Sequence, residues 1–136
     1  MRETVFLWLK WLIVGAMGFG FLVGGCAGRN VKTMVVTATA YNSIGSQTHP
    51  DHEAITAWGD TLEPGMKCIA VSRDLIPEGL TYDTKVKIEG LPGTYRVLDK
   101  MNRRWTQRID IYMGNDKEAA LDWGAQQVII SWKADE

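Results

Sequence analysis

The 136-residue chain carries 15 basic and 16 acidic residues, a net charge of -1, and nothing in that balance suggests a nucleic-acid partner. The length suits one small domain, and a hydrophobic fraction of 46% is enough for a packed core. Six Trp and four Tyr fit either core or sugar-binding surface.

Residues 1–25 read as targeting rather than fold. Lys10 is followed by an uncharged run, Trp11–Gly25, shorter than the ~20 residues a membrane span needs. It fits the apolar core of a signal peptide, or else a membrane anchor. Small residues before Cys26 (Leu22-Val-Gly-Gly-Cys-Ala-Gly28) resemble a bacterial lipoprotein cleavage box. Cys26 is then the lipidated residue, residues 26–33 carry it on a short linker, and residues 34–133 form the domain. That reading places the domain in the bacterial cell envelope, outside the cytoplasmic membrane and tethered to it. Cys68 is left without an intrachain partner and reads as a small buried hydrophobe.

Thr33–Asn42 is rich in β-branched residues and reads as a strand. Ser43–Glu53 is a polar loop containing His49-Pro-Asp-His52, whose spacing and ligand count do not make a metal site. Ala54–Met66 is irregular, with turns at Gly59-Asp60 and Pro64-Gly65. Lys67–Ser72 is a short apolar strand. Arg73–Gly79 is a turn with room for one helical turn before Pro77. Thr84–Glu89 alternates as a half-buried strand.

Thr94–Met113 reads as strand, loop, strand, with one carboxylate in each strand: Asp99 after Val97-Leu98, Asp110 between Ile109 and Ile111. Acids are depleted in strands and seldom buried without a partner or a task. A symmetric hairpin sets the two acids opposite each other, ~5 Å apart at Cβ. Carboxylates that close raise one another's proton affinity, which makes a general acid; the alternative is neutralisation by the basic loop Lys100–Arg108. A helix follows, with Asn115 as N-cap and Glu118 completing a capping box. Gln127–Trp132 is the last strand. About six short strands and one or two short helices give a mainly β domain, a small barrel or sandwich.

Thr39-Ala-Tyr41, Thr56–Gly59, Pro64-Gly65, Ile69-Ala-Val71, Leu75-Ile-Pro77, Gly79, Val97-Leu-Asp99 and Ile109-Asp-Ile-Tyr112 occur in an order that resembles the 3D (three-aspartate) domain. Ala119, Ala120, Trp123-Gly124 and Val128 complete the pattern. This domain is a six-stranded double-psi β-barrel, found in membrane-bound lytic transglycosylase A; rare lipoprotein A and the expansin-like barrels are more distantly similar. The resemblance implies a peptidoglycan lytic transglycosylase; from the ligand count above, no metal is expected, and no other cofactor. Asp99 is the implied acid/base and Asp110 its neighbour, cleaving glycan strands to 1,6-anhydro-muropeptides. Tyr41, Thr56, Trp58, Asp74, Arg103 and Arg104 are the expected substrate-binding residues. Ser72 stands where the family's first aspartate usually lies, with Asp74 two residues on. The loop after Asp99 is basic rather than glycine-rich. A non-catalytic cell-wall-binding module and a hydrolase of the same glycan are the alternatives.

Overall fold

The computed structural model describes residues 30–43 and 54–134. The N-terminal segment 1–25, the lipidation position Cys26, and His49 and His52 lie outside them. Among the described residues, eight strands and one α-helix follow in order. They are β1 (Val31–Tyr41), β2 (Ala54–Ile55), β3 (Thr61–Leu62), β4 (Cys68–Val71), β5 (Lys85–Ile88), β6 (Tyr95–Lys100), β7 (Arg108–Tyr112), α1 (Lys117–Trp123) and β8 (Gln126–Lys133). A 3-10 turn, Arg73–Leu75, follows β4.

Six strands close into a barrel in the order β1-β7-β4-β6-β5-β8, and β2 and β3 form a separate two-stranded ribbon. β1 runs antiparallel to β8 along Val31–Ala38 and parallel to β7 along Thr37–Tyr41. β4 lies between β6, to which it is parallel, and β7, to which it is antiparallel. These crossings and the closed ring are those of a double-psi β-barrel. Closure removes the exposed edges that so small a sheet would otherwise present.

Alternation builds the core. Val36 and Ala38, Ile69 and Val71, Val86 and Ile88, Ile109 and Ile111, and Val128, Ile130 and Trp132 all point inward and are buried. A smaller cluster, Leu62, Cys68, Leu98 and Tyr112, lies on the outer side of β4, β6 and β7. Cys68 is free and buried there.

The strands match the alternation read from sequence, with ends shifted by a residue or two. Three expectations are corrected. The stretch 54–66 is not wholly irregular, since it holds β2 and β3. The helix is capped by Asp116, whose side chain accepts from Ala119 N; Asn115 instead accepts from Ser43 Oγ at 2.8 Å. Most consequentially, β6 and β7 do not form a hairpin. Residues 101–107 cross the C-terminal end of β4, where Met101 N donates to Val71 O (2.9 Å) and Ser72 N to Arg108 O (2.8 Å). β4 therefore separates the two acid-bearing strands.

Candidate functional site

Register assembles the site. Thr39 pairs with Asp110, Asp110 with Ala70, and Ala70 with Asp99. Residues paired across neighbouring strands share a face, and this row faces outward because Ala38, Ile69, Val71, Ile109 and Ile111 occupy the interior. Asp99 and Asp110 are thus two strand spacings apart, ~10 Å at Cα, and not directly opposed. The small side chain of Ala70 lies between them.

A β-bulge makes this possible. The β4–β6 register runs Ile69↔Val97 and then Ala70↔Asp99, skipping Leu98. Two consecutive residues of β6 therefore turn outward. Leu98 packs into the outer cluster, and Asp99 reaches the cavity. Bulges re-aim side chains in this way, often beside functional sites.

The two acids, Ala70, Tyr41, Lys100, Met101, Asn102 and Trp105 line a cavity of about 230 Å³. Asp99 is fixed through Oδ1, which accepts from Ala57 N (2.7 Å) and Lys100 N (2.8 Å). Asp110 accepts from Thr39 Oγ1 at 3.0 Å. Burial pushes the Asp110 carboxyl above the ordinary carboxylate range; the Thr39 hydroxyl and Arg108 pull the other way, and the charge of Asp99 adds to the rise. Tyr41 stacks obliquely on Tyr112, ring centroids 5.4 Å apart, and its buried hydroxyl has no hydrogen-bond partner among the described residues. Burial, with the charges of Cys68, Asp99 and Asp110, holds that hydroxyl protonated far above its usual range. It is therefore a donor still open to a ligand oxygen. Burial also pushes the Cys68 thiol up to about 11, which fits an inert core residue.

The other expected site residues are distributed differently. Thr56 is buried and does not line the cavity; its Oγ1 accepts from Asp60 N (3.0 Å), and its backbone closes the turn that carries Ala57. Trp58 lies beyond the cavity wall, under Lys100 Nζ (4.9 Å to the ring centroid). Asp74 also lies outside the cavity: its Oδ2 accepts from Gln107 N at 2.9 Å, where Gln107 has φ +47°. It anchors a left-handed residue at the loop's exit. Arg103 is exposed and does not line the cavity. Arg104 and Arg108 stack on Trp105, at 4.8 and 4.0 Å from the ring centroid. Among the described residues neither Asp99 nor Asp110 forms an ion pair, so the basic loop makes no salt bridge to either, although the charge of Arg108 still acts on Asp110. Ser72 is fully buried and accepts from Arg108 N at 3.0 Å; it ties β4 to β7 instead of facing the cavity. No three metal-ligating side chains group together among the described residues.

Thr39, Ala57 and Trp105 were not among the expected site residues. Thr39 is one of three Thr in an ordinary-looking strand, and Ala57 contributes only its backbone N–H. Trp105 did carry a signal, as an aromatic residue set within a basic loop.

No family model matches the chain, and no curated protein matches it. Among solved structures it is similar to the crystal structure of an apo expansin from Clavibacter michiganensis. That match has 18% identity and a TM-score of 0.51, over 77% of this chain and 52% of the expansin chain. The chain thus spans about half the length of that expansin. At this identity the likeness concerns the fold, and it agrees with a double-psi β-barrel.

Proposed function

We propose that the cavity is a glycan-cleaving site and that the domain is a peptidoglycan lytic transglycosylase. One observation carries this reading. A carboxyl whose proton affinity is raised by burial, Asp110, faces a second carboxyl across Ala70 in an open cavity. A partly desolvated acid near a separate carboxylate is the pattern that divides acid from charge-stabilising roles. The barrel shared with an expansin supports a cell-wall-related, carbohydrate-binding role. The choice of peptidoglycan rests on the sequence resemblance.

The geometry favours exchanging the roles expected for the two aspartates. Asp110 gives its proton to the glycosidic oxygen, and the C1–O bond breaks with its electron pair leaving on that oxygen. The oxocarbenium-like centre at C1 is attacked by the C6 hydroxyl oxygen of the same sugar. The hydroxyl proton passes to the Asp110 carboxylate, which restores the acid and leaves a 1,6-anhydro sugar. Asp99, clamped through Oδ1 by Ala57 N and Lys100 N, holds a second carboxyl in place beside the reacting sugar. Tyr41 donates its free hydroxyl to a substrate oxygen. Digestion of purified sacculi followed by mass spectrometry tests this: wild type releases anhydro-muropeptides and Asp110→Asn releases none. Reducing-end products in place of anhydro ends would identify a hydrolase and refute internal attack.

A second reading, glycan binding without cleavage, is favoured by the stack of Arg104 and Arg108 on Trp105. Sedimentation with sacculi that survives Asp110→Asn, with no product from wild type, identifies that case. In either reading the domain sits outside the cytoplasmic membrane. Incorporation of labelled palmitate that is lost in Cys26→Ser tests the lipid tether.

A further inference from the structure

Away from the acid cavity, β5 alternates strictly. Val86 and Ile88 enter the core while Lys85 and Lys87 face outward. β8 does the same, with Trp132 inward and Lys133 outward. Lys85 pairs with Arg96 on one side. On the other side the register runs Ile88↔Ile130, Lys87↔Ser131, Val86↔Trp132, and one more step sets Lys85 across from Lys133. Three cations, Arg96, Lys85 and Lys133, thus stand on neighbouring strands at a spacing of ~4.8 Å, with Lys87 one row along. Arg96 is engaged by Asp83. Asp83 is also the one carboxylate among the described residues lining a depression of about 600 Å³, which the three lysines share with Tyr82, Thr94 and Ser131.

Like charges set opposite one another in a sheet are destabilising. Lys85 and Lys133 stand in that relation with no carboxylate ion-paired to either among the described residues. An anion in the depression removes the conflict. The depression also connects to the acid cavity through one aromatic pair. Tyr82, on its wall, meets Trp58 edge to face at 5.6 Å, and Trp58 lies under Lys100, which lines the cavity.

We propose that this lysine-lined depression binds carboxylates carried by a glycan chain whose neighbouring segment occupies the acid cavity. That the polymer is a glycan rests on the reading above; recognition of its charge by the lysines does not. The test measures binding of the full chain to three probes by isothermal titration calorimetry. The probes are polygalacturonate oligomers, uncharged chitin oligosaccharides, and a single-stranded DNA oligonucleotide.

In Lys85→Gln/Lys133→Gln, polygalacturonate binds roughly tenfold more weakly at low salt, as expected for two screened charge-assisted contacts. Chitin binding is unchanged, and the thermal midpoint does not fall because a repulsion has been relieved. Unchanged polygalacturonate affinity in the double variant overturns the proposal. So does DNA bound more tightly than polygalacturonate through the same lysines, which marks an indiscriminate cationic face. A lowered thermal midpoint overturns the like-charge argument. Absence of anhydro products from wild type sinks the cleavage reading but leaves the polygalacturonate result standing, so the two failures are distinguishable.

Discussion

Ala57→Pro isolates one hydrogen bond of the candidate site. Ala57 is the second residue of the turn Thr56–Gly59, closed by Gly59 N donating to Thr56 O at 3.0 Å. Proline is favoured at that position. The Ala57 N–H serves Asp99 Oδ1 instead of the turn, at 2.7 Å, so the substitution keeps the turn and deletes the donor. A hydrogen bond to a charged group is worth ~1.5–3 kcal/mol net, and the exposure of Ala57 favours the lower end. Restriction of the unfolded chain by proline returns ~0.4–1 kcal/mol. The expected net loss is ~1 kcal/mol, a fall in thermal midpoint of ~4–8 °C for a domain of this size. Asp99 is then held by Lys100 N alone. Release of anhydro-muropeptides slows roughly tenfold, equivalent to ~1.4 kcal/mol in the barrier. Circular dichroism melts and timed digestion of sacculi read the two effects. Ala57→Ser, which retains the N–H, behaves as wild type in both. A wild-type rate and midpoint in Ala57→Pro would refute the claim that this N–H holds Asp99. A fall beyond ~15 °C, twice the expected shift, would refute the turn geometry.

Asp110→Asn removes activity yet stabilises the fold at neutral pH. The folded-state pKa of Asp110 is raised by burial, so the folded protein binds that proton more tightly than the unfolded chain does. Wild-type stability therefore declines as pH rises from the unfolded carboxyl pKa through the folded one. The asparagine variant lacks that decline, and the two melting curves converge in acid. Thr39→Val deletes the hydroxyl that favours ionised Asp110, and the alkaline limb of the kcat/KM profile moves to higher pH; a shift to lower pH would contradict the assignment. Ser72→Ala leaves the part-buried Arg108 N–H without its side-chain partner. It costs about 1 kcal/mol in urea unfolding, the low end of the penalty for a donor left unsatisfied.

Much of the barrel was legible because its strands obey a period of two. Thr84–Glu89 is the clearest case, and β5 and its buried Val86 and Ile88 follow directly from it. What could not be read were features decided by distant partners. β6 and β7 are consecutive in the chain with a short connection, the pattern that normally gives a hairpin. Only the insertion of β4 between them, fixed by residues some thirty positions upstream, prevents it. The bulge at Leu98 is equally silent, because Leu-Asp breaks no local rule until its parallel neighbour is known. β2 and β3, two residues each, are too short to show a period. The acids themselves were conspicuous. Their supports were not, since Ala57 acts through its backbone and Thr39 resembles any strand threonine.

The pairing of β1 with β8 also bears on how this domain is made. The barrel's first and last strands are neighbours, so the ring cannot close until its final segment is available. A growing chain that has produced β1 through β7 still presents two unpaired edges, one on β1 and one on β5, of the kind that recruits foreign strands. Contacts of such long range place folding in the slow regime of β proteins, and no early subset of strands forms a finished unit. The nascent domain thus stays open to chaperones and proteases until β8 is in place.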